Sequence, residues 1–490
     1  MRAKLPDQTG FVTRDGVRLY YEIYGSGPQT MVFVPPWSIV HSRVYKAQLP
    51  YFSERYRCIA YDGRGNGKSD RPDAVAAYSL DNYVADALAV MEATATTSAI
   101  LVGLSFGGML ISVIAAYHPE RVKAAILVGT SASIGPNNPG TSVEHFRADG
   151  KPSPDGWDKY NRCHWLSSYP DFADFFVRNI FSEPHSTKQI EDAVGWAAET
   201  TGPVLVNTVD ARPMPPAFDT SEAMYRRIHC PTLMIHGEDD RIQLHARAEA
   251  VAAVTGAELV TIPGGGHNPL GRIPAKCNIL IAVFLERVVP AAAPKRRDVP
   301  ADRRDHAPDD RALLRGRELR RLRPGVQIDW LAQDPVSRLL VAHGERLHPL
   351  SARLASESRH IELEAGEHDL HCFQALRRMD EVLIANFMTF QDAVDAGDYD
   401  LVVADEAWDV DHYWHEHPEL KKAGLAWFTD FVGFVPMPAG GEAEDLLTAD
   451  YNAEMIGHVE THPGVRDRAI FVGNRRYTVA ILRQGPAADG

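Results

Sequence analysis

Gly103-Leu104-Ser105-Phe106-Gly107 sets a serine between two glycines, each two residues away, directly after the apolar run Ala99-Ile100-Leu101-Val102. A serine hydroxyl is a weak nucleophile unless its Oγ is held exposed beside a base, and a tight strand-to-helix turn provides that exposure. The flanking glycines permit the close backbone approach such a turn needs. The helix that follows would aim its N-terminus at a developing oxyanion. The chemistry implied is nucleophilic attack by Ser105 on an acyl carbon.

A base and an orienting acid should come later in the chain, in the order serine, acid, histidine. After the apolar run Thr232-Leu233-Met234-Ile235 comes His236-Gly237-Glu238-Asp239-Asp240. An acid at the carboxyl end of a strand, just past a glycine turn, can reach an imidazole. Asp240 is the candidate, Asp239 the alternative, and Glu238 a solvated turn acid. His267 follows on Pro263-Gly264-Gly265-Gly266-His267-Asn268-Pro269, a glycine-rich loop with a helix expected from about Ile273. There its Nε2 could face Ser105 while Nδ1 faces Asp240. His236 reads as a structural residue at a strand end and His245 as a helix-surface histidine.

The elements that must hold these residues are legible as alternating patterns over the first 290 residues or so. Met31–Val34, Arg57–Tyr61, Ala99–Val102, Ala124–Val128, Thr232–Ile235 and Glu258–Ile262 are short apolar or β-branched runs separated by amphipathic helical stretches. Continuous apolar strands between helices imply a mostly parallel sheet covered on both faces. Phe11-Val12 and Arg18–Glu22 read as an antiparallel hairpin at its edge. The alternation breaks from about 131 to 230, an insert that reads as helical and is rich in aromatics, including Trp157, Tyr160, Trp165, Phe172, Phe176 and Trp196. At helical spacing such aromatics belong mostly to the insert's own core.

Composition narrows the class. The chain has 490 residues, 45% hydrophobic and 24% charged, which is ordinary globular usage and excludes a chain disordered throughout. No run approaches the ~18 apolar residues of a membrane span. A net charge of −14 argues against nucleic acid as the main partner. Met1–Gln8 lacks the apolar run of a secretory signal, and five dispersed cysteines without a C-x-x-C pair fit reduced thiols, so a cytoplasmic location is expected.

These features together resemble the α/β-hydrolase fold superfamily. The resemblance extends to Asp62-Gly63-Arg64-Gly65-Asn66-Gly67-Lys68-Ser69, which matches the superfamily's Asp-x-Arg-Gly-x-Gly-x-Ser loop. It implies loop-organising roles for Asp62, Arg64 and Ser69, a helical cap at about 131–230, and a Ser105–His267–Asp240 triad with no cofactor and no metal. It also implies an oxyanion hole. Relatives commonly carry His-Gly after the third strand, whereas here the segment is Pro35-Pro36-Trp37-Ser38. Pro36 has no N–H, so the expected donors are the backbone N–H groups of Trp37 and Phe106. The Pro-Pro-Trp-Ser form resembles hydrolase-like modules fused to bacterial signalling domains, which keeps a ligand-binding or sensory role as the alternative. His41 and Ser42 read as helix-entry residues. A serine rather than an aspartate at the turn disfavours epoxide-hydrolase and dehalogenase chemistry. Carboxylester hydrolysis, carbon–carbon hydrolysis and perhydrolase chemistry remain, on a small apolar or aromatic acyl substrate.

The expected organisation is a hydrolase domain at 1–290, a charged linker at 291–310 and a second α/β domain at 311–490. From Lys295 to Arg323 eleven Lys/Arg and six Asp/Glu crowd together, a stretch able to bury little apolar surface before turning helical near Arg311. Val326–Leu331, Asp400–Ala404 and Leu425–Phe428 read as strands, with a long helix from about Asp369 to Ala396. Glu318–Val326, Asp329–Ala332, Asp405–Trp408 and Phe471–Asn474 resemble the N-terminal half of a UDP-glycosyltransferase-like GT-B fold. The first strand with its glycine-rich loop is missing, as is the second half, so the resemblance implies an incomplete Rossmann-like fold without the activity; a glycosyltransferase is the third reading. Glu367–His371 and Asp409–His417 carry several histidines and acids but not the H-E-x-x-H arrangement, and read as solvated polar faces, as does the Arg315–Arg323 cluster.

Overall fold

A computed structural model describes residues 2–151, 154–212, 216–289, 311–365, 372–429, 433–436 and 440–472. The chain divides into two compact units, one spanning Lys4–Pro294 and the other made mainly of Lys295–Gly490.

In the first unit β1 (Gln8–Arg14) and β2 (Val17–Tyr24) form an antiparallel hairpin, and β2 pairs antiparallel with β4 (Arg57–Tyr61). Parallel pairing then joins β4, β3 (Thr30–Val34), β5 (Ala99–Leu104), β6 (Val122–Val128), β7 (Thr232–Gly237) and β8 (Glu258–Ile262). The sheet order is β1-β2-β4-β3-β5-β6-β7-β8. Every residue of β5 and β7 is buried, as the continuous apolar runs require of strands covered on both faces.

The loop after β4 is organised as the motif implied. Asp62 Oδ1 accepts the Ser42 hydroxyl (2.6 Å), and Ser69 donates to the Asp62 carbonyl (2.7 Å). Arg64 forks onto Asp86 with two 2.6 Å bonds, both side chains being almost fully buried. His41 caps the short helical turn Ser42–Tyr45.

Between β6 and β7 the chain is helical: Val143–Arg147, Arg162–Ile180, Thr187–Ala197, Gly202–Asp210 and Glu222–Tyr225. Pro170 has no N–H for the helical ladder, and Arg162–Ile180 kinks at Ser168. Trp165, Phe146 and Phe172 are wholly buried, with the Trp165 and Phe172 rings 4.3 Å apart. Trp37, on the loop after β3, inserts into this cluster 5.6 Å from Trp165 and 5.5 Å from Phe176, while its indole N–H donates to Thr208 at 2.7 Å.

The second unit has a parallel three-stranded sheet, β9 (Leu401–Asp405), β10 (Gly424–Thr429) and β11 (Arg468–Phe471), with β10 in the centre. Three expectations need correction. Val326–Leu331 is not a strand: Val326 N–H closes a turn onto Arg323, and Trp330 alone bonds across to Arg346 and His348, which makes one isolated bridge to Leu347. The expected long helix is two, Cys372–Arg377 and Asp380–Ala396, separated by a turn at Arg378-Met379. The helix Trp408–Glu416 is not a solvated face. Asp409, Asp411, His415 and His417 are buried, and Arg466 forks onto Asp411 at 2.6 and 2.5 Å. Among the described residues no three His, Cys, Asp or Glu side chains gather in a metal-binding group; Glu367–His371 lies outside the described residues.

Candidate active site

Ser105 sits where β5 meets the helix Phe106–Tyr117, with φ +55° and ψ −118°. For a residue with a Cβ this conformation costs about 1–3 kcal/mol and persists only where the surroundings enforce it. The enforcement is visible in the motif. A Cβ on Gly103 would come within 2.6 Å of the Gly107 carbonyl carbon, and one on Gly107 within 2.6 Å of the Val34 carbonyl oxygen. Both positions must therefore be glycine for β5, the helix and β3 to meet. The turn is held further by Ser105 N–H donating to Val128 (2.8 Å) and Ser131 N–H donating to the Ser105 carbonyl (3.0 Å).

His267 and Asp240 come from the loops after β8 and β7. His267 Nδ1 lies 2.8 Å from Asp240 Oδ2, and both side chains are buried. Oδ1 of the same carboxylate accepts the N–H groups of Ile242 (2.7 Å) and Gln243 (2.8 Å). Burial alone would raise the Asp240 pKa, but the adjacent His267 and His236 outweigh it and hold the carboxyl well below the usual range. Asp239 and Glu238 are exposed. The His267 loop is anchored from the helical insert: His267 N–H donates to Ile180 (3.0 Å) and Gly266 N–H to Glu183 Oε1 (2.6 Å).

Ser105, Phe106, Trp37 and His267 line one cavity of about 400 Å³. Tyr160, Phe176 and Trp196 of the insert line it too, so the insert's aromatics divide between its own core and the cavity wall. The Ser105 hydroxyl makes no hydrogen bond to His267 here; such contacts commonly tighten only when substrate is bound. Among the described residues no acceptor takes the Trp37 or Phe106 backbone N–H, which leaves both available at the cavity.

A family model described as the alpha/beta hydrolase fold matches residues 37–271. A non-heme haloperoxidase of Rhodococcus erythropolis is 30% identical over 269 residues, covering 53% of this chain and 92% of that protein. The chain belongs to the α/β-hydrolase fold family. A non-heme chloroperoxidase of Burkholderia pyrrocinia is 28% identical over 53% of this chain and 92% of its own length. A bifunctional esterase/perhydrolase of Acinetobacter calcoaceticus is 25% identical over 53% of this chain and 93% of its own.

Three residues of this α/β-hydrolase site escaped sequence reasoning. His236 is more than a strand-end residue: its Nε2 lies 3.2 Å from Asp240 Oδ2 and 2.8 Å from the Gln243 carbonyl. The 236/240 spacing was a weak signal, since four residues across a turn fix no direction. Tyr45 donates to the Val34 carbonyl (2.5 Å) and accepts from Leu104 N–H (2.9 Å), tying the end of β3 to the residue before Ser105. Nothing local announces that role. Arg247 also lines the cavity, although its helix, His245–Thr255, reads as an ordinary surface element. His245 itself is partly buried, with Nε2 2.8 Å from Thr261 Oγ1.

Proposed function

We propose that this α/β-hydrolase is a serine hydrolase acting on carboxylic esters or closely related acyl compounds. The reading is carried by Ser105, held at positive φ on a glycine-flanked turn, in one cavity with a histidine whose Nδ1 meets a buried carboxylate. Ser105 Oγ attacks the acyl carbon while His267 Nε2 takes its proton. The Trp37 and Phe106 N–H groups receive the charge developing on the carbonyl oxygen. Asp240, fixed by two backbone N–H groups, holds His267 in the tautomer with Nδ1 protonated. His267 then protonates the leaving alcohol, and water, deprotonated by the same ring, releases the acid and restores Ser105. No metal or organic cofactor enters this sequence.

A second outcome of the same acyl-enzyme is favoured by the relative named an esterase/perhydrolase. Hydrogen peroxide in place of water would leave as the peracid, with the enzyme regenerated in the same way. Binding without turnover, the sensory reading, draws only on the Pro35-Pro36 substitution. For the second unit, a thermal shift with a UDP-sugar tests the glycosyltransferase reading.

The deciding experiment is covalent labelling with a fluorescent alkyl phosphonate that traps activated serines. Labelling of the native protein, lost in Ser105→Ala and His267→Ala, is expected. A folded native protein that does not label would overturn the reading in favour of a binding module.

A further inference from the structure

Arg247 is nine-tenths buried at the third position of the helix His245–Thr255, and it lines the cavity that holds Ser105 and His267. Its guanidinium is positioned rather than paired. Nε donates to the Pro136 carbonyl at 2.8 Å and Nη1 to Gln243 Oε1 at 2.7 Å, both neutral acceptors. Among the described residues no carboxylate lies within ion-pair distance, and Nη2 has no acceptor. The site is built around it. Gly135, at φ +80°, is the one residue type that can lie so close, since a Cβ there would come within 3.0 Å of the Arg247 Cα and 3.2 Å of its Cγ. Gln243 in turn is fixed by its own N–H, which donates to Asp240. Gln243 thus meets the triad acid through its backbone N–H and the guanidinium through its side-chain oxygen.

A buried cation without a counter-ion is costly, and here burial pushes the Arg247 pKa below the usual arginine value, although arginine remains charged. The charge environment is one-sided. Arg212 also lines the cavity, with its guanidinium 5.8 Å from the Trp37 ring centre, and no aspartate or glutamate is among the described lining residues. Val40, Met109, Tyr160 and Phe176 give the wall an apolar part, and neutral polar side chains such as Ser131, Asn137, Thr208 and Asn268 line the rest. A ligand that completes this cavity has an apolar body and one anionic end.

We propose that the substrates are acyl compounds carrying a second, free carboxylate, such as half-esters of short dicarboxylic acids or the corresponding lactone acids, with Arg247 receiving that carboxylate. A planar carboxylate matches the guanidinium fork and is bound better there than by a point charge. Arg247 is then a specificity-determining residue that orients the acyl chain and takes no part in bond making. The inference rests on the serine-hydrolase reading for its turnover test and on binding alone for its second test.

The turnover test compares the mono-p-nitrophenyl ester of glutaric acid with p-nitrophenyl valerate, its uncharged counterpart of equal chain length. Native protein should favour the carboxylate ester by at least about tenfold in kcat/KM, mainly through KM, and Arg247→Gln should erase that ratio. Arg247→Lys should keep part of it, which separates loss of charge from loss of packing against Pro136 and Gly135. A native ratio at or below one, or a ratio unchanged in Arg247→Gln, overturns the proposal. The binding test titrates glutarate into Ser105→Ala by calorimetry: saturable binding that Arg247→Gln abolishes supports the anion site, and no binding overturns it. If the native protein hydrolyses neither ester, phosphonate labelling decides the serine-hydrolase reading, and the glutarate titration decides the Arg247 site by itself.

Discussion

The two units solve the same problem, covering a parallel sheet, to different degrees. In the hydrolase unit Ile100, Leu101 and Val102 of β5 and their neighbours Ile126 and Phe33 are fully buried. In the second unit β10 alone approaches this, through Leu425 and Trp427, while Leu401 and Val403 of β9 and all of β11 are exposed. There, Arg315 lies over the Phe428 ring at 4.3 Å and pairs with Asp405, where an aliphatic side chain would cover a wider sheet. Both units also bury charge. The hydrolase unit pairs buried Arg64 with Asp86 and sets Asp240 against His267, and leaves Arg247 as a buried cation with neutral acceptors. The second unit pairs Arg466 with buried Asp411 and also raises the pKa of two of its acids. Burial raises the Glu357 pKa, and burial followed by the Glu357 charge raises that of Asp409 to about 7. The eight-stranded frame holds a strained serine and a carboxylate set against a histidine; the three-stranded one holds Asp411 by pairing and Asp409 with its pKa raised.

The largest effect that would sharpen this contrast is catalytic. Ser105→Ala should lower ester turnover by roughly 10⁴-fold or more, and His267→Ala comparably, while calorimetry shows the thermal transition of the second unit unmoved. Next, Arg64→Ala leaves Asp86 with only the guanidinium of Arg14 and should destabilise the hydrolase unit by about 3–5 kcal/mol, read from denaturant unfolding. An unchanged midpoint would remove the claim that the buried Arg64–Asp86 pair supports this unit.

Smaller, and opposite in sign for Asp240 and Asp409, is the effect of pH. Asp240 is depressed, so its contribution is present above the ordinary carboxylate range and is lost as pH falls through it and below. Asp409 is raised, so the folded second unit binds the extra proton. Its contribution is present at acid pH and lost as pH rises from about 4 through about 7. Asp409 should therefore weaken the second transition between pH 5 and pH 8, by on the order of 3 kcal/mol, while half-buried His458, depressed to about 4, acts in the opposite direction as pH rises from about 4 to about 6.5. The check is the difference between native and Asp409→Asn: a stabilisation by the substitution that does not grow with pH breaks the comparison. The smallest expected effect is a control: Asp239→Ala, exposed beside Asp240, should change turnover by less than about twofold.

Legibility in the sequence follows the same line. The hydrolase strands were readable because both faces are buried, which makes the apolar runs continuous. Val326–Leu331 offered a similar run without a neighbour to pair with, and it forms no strand. The buried side of Trp408–Glu416 was unreadable because its polar residues find partners as far away as Arg466.

What the sequence by itself determined is what is marked over a few residues: the glycine-flanked serine turn Gly103–Gly107, and the alternation that builds the sheet beneath it. The order of candidate residues along the chain followed from the same local marks. Tertiary structure alone decided which of two adjacent aspartates is buried against His267, and that His236 shares its carboxylate. It also decided that Trp37 ties the helical insert to the sheet, and that Arg247 reaches the cavity without a counter-ion. The physical reason is range. Backbone conformation is set by neighbours in sequence, whereas burial and the partners of a charge are set by segments that meet only when the chain has folded.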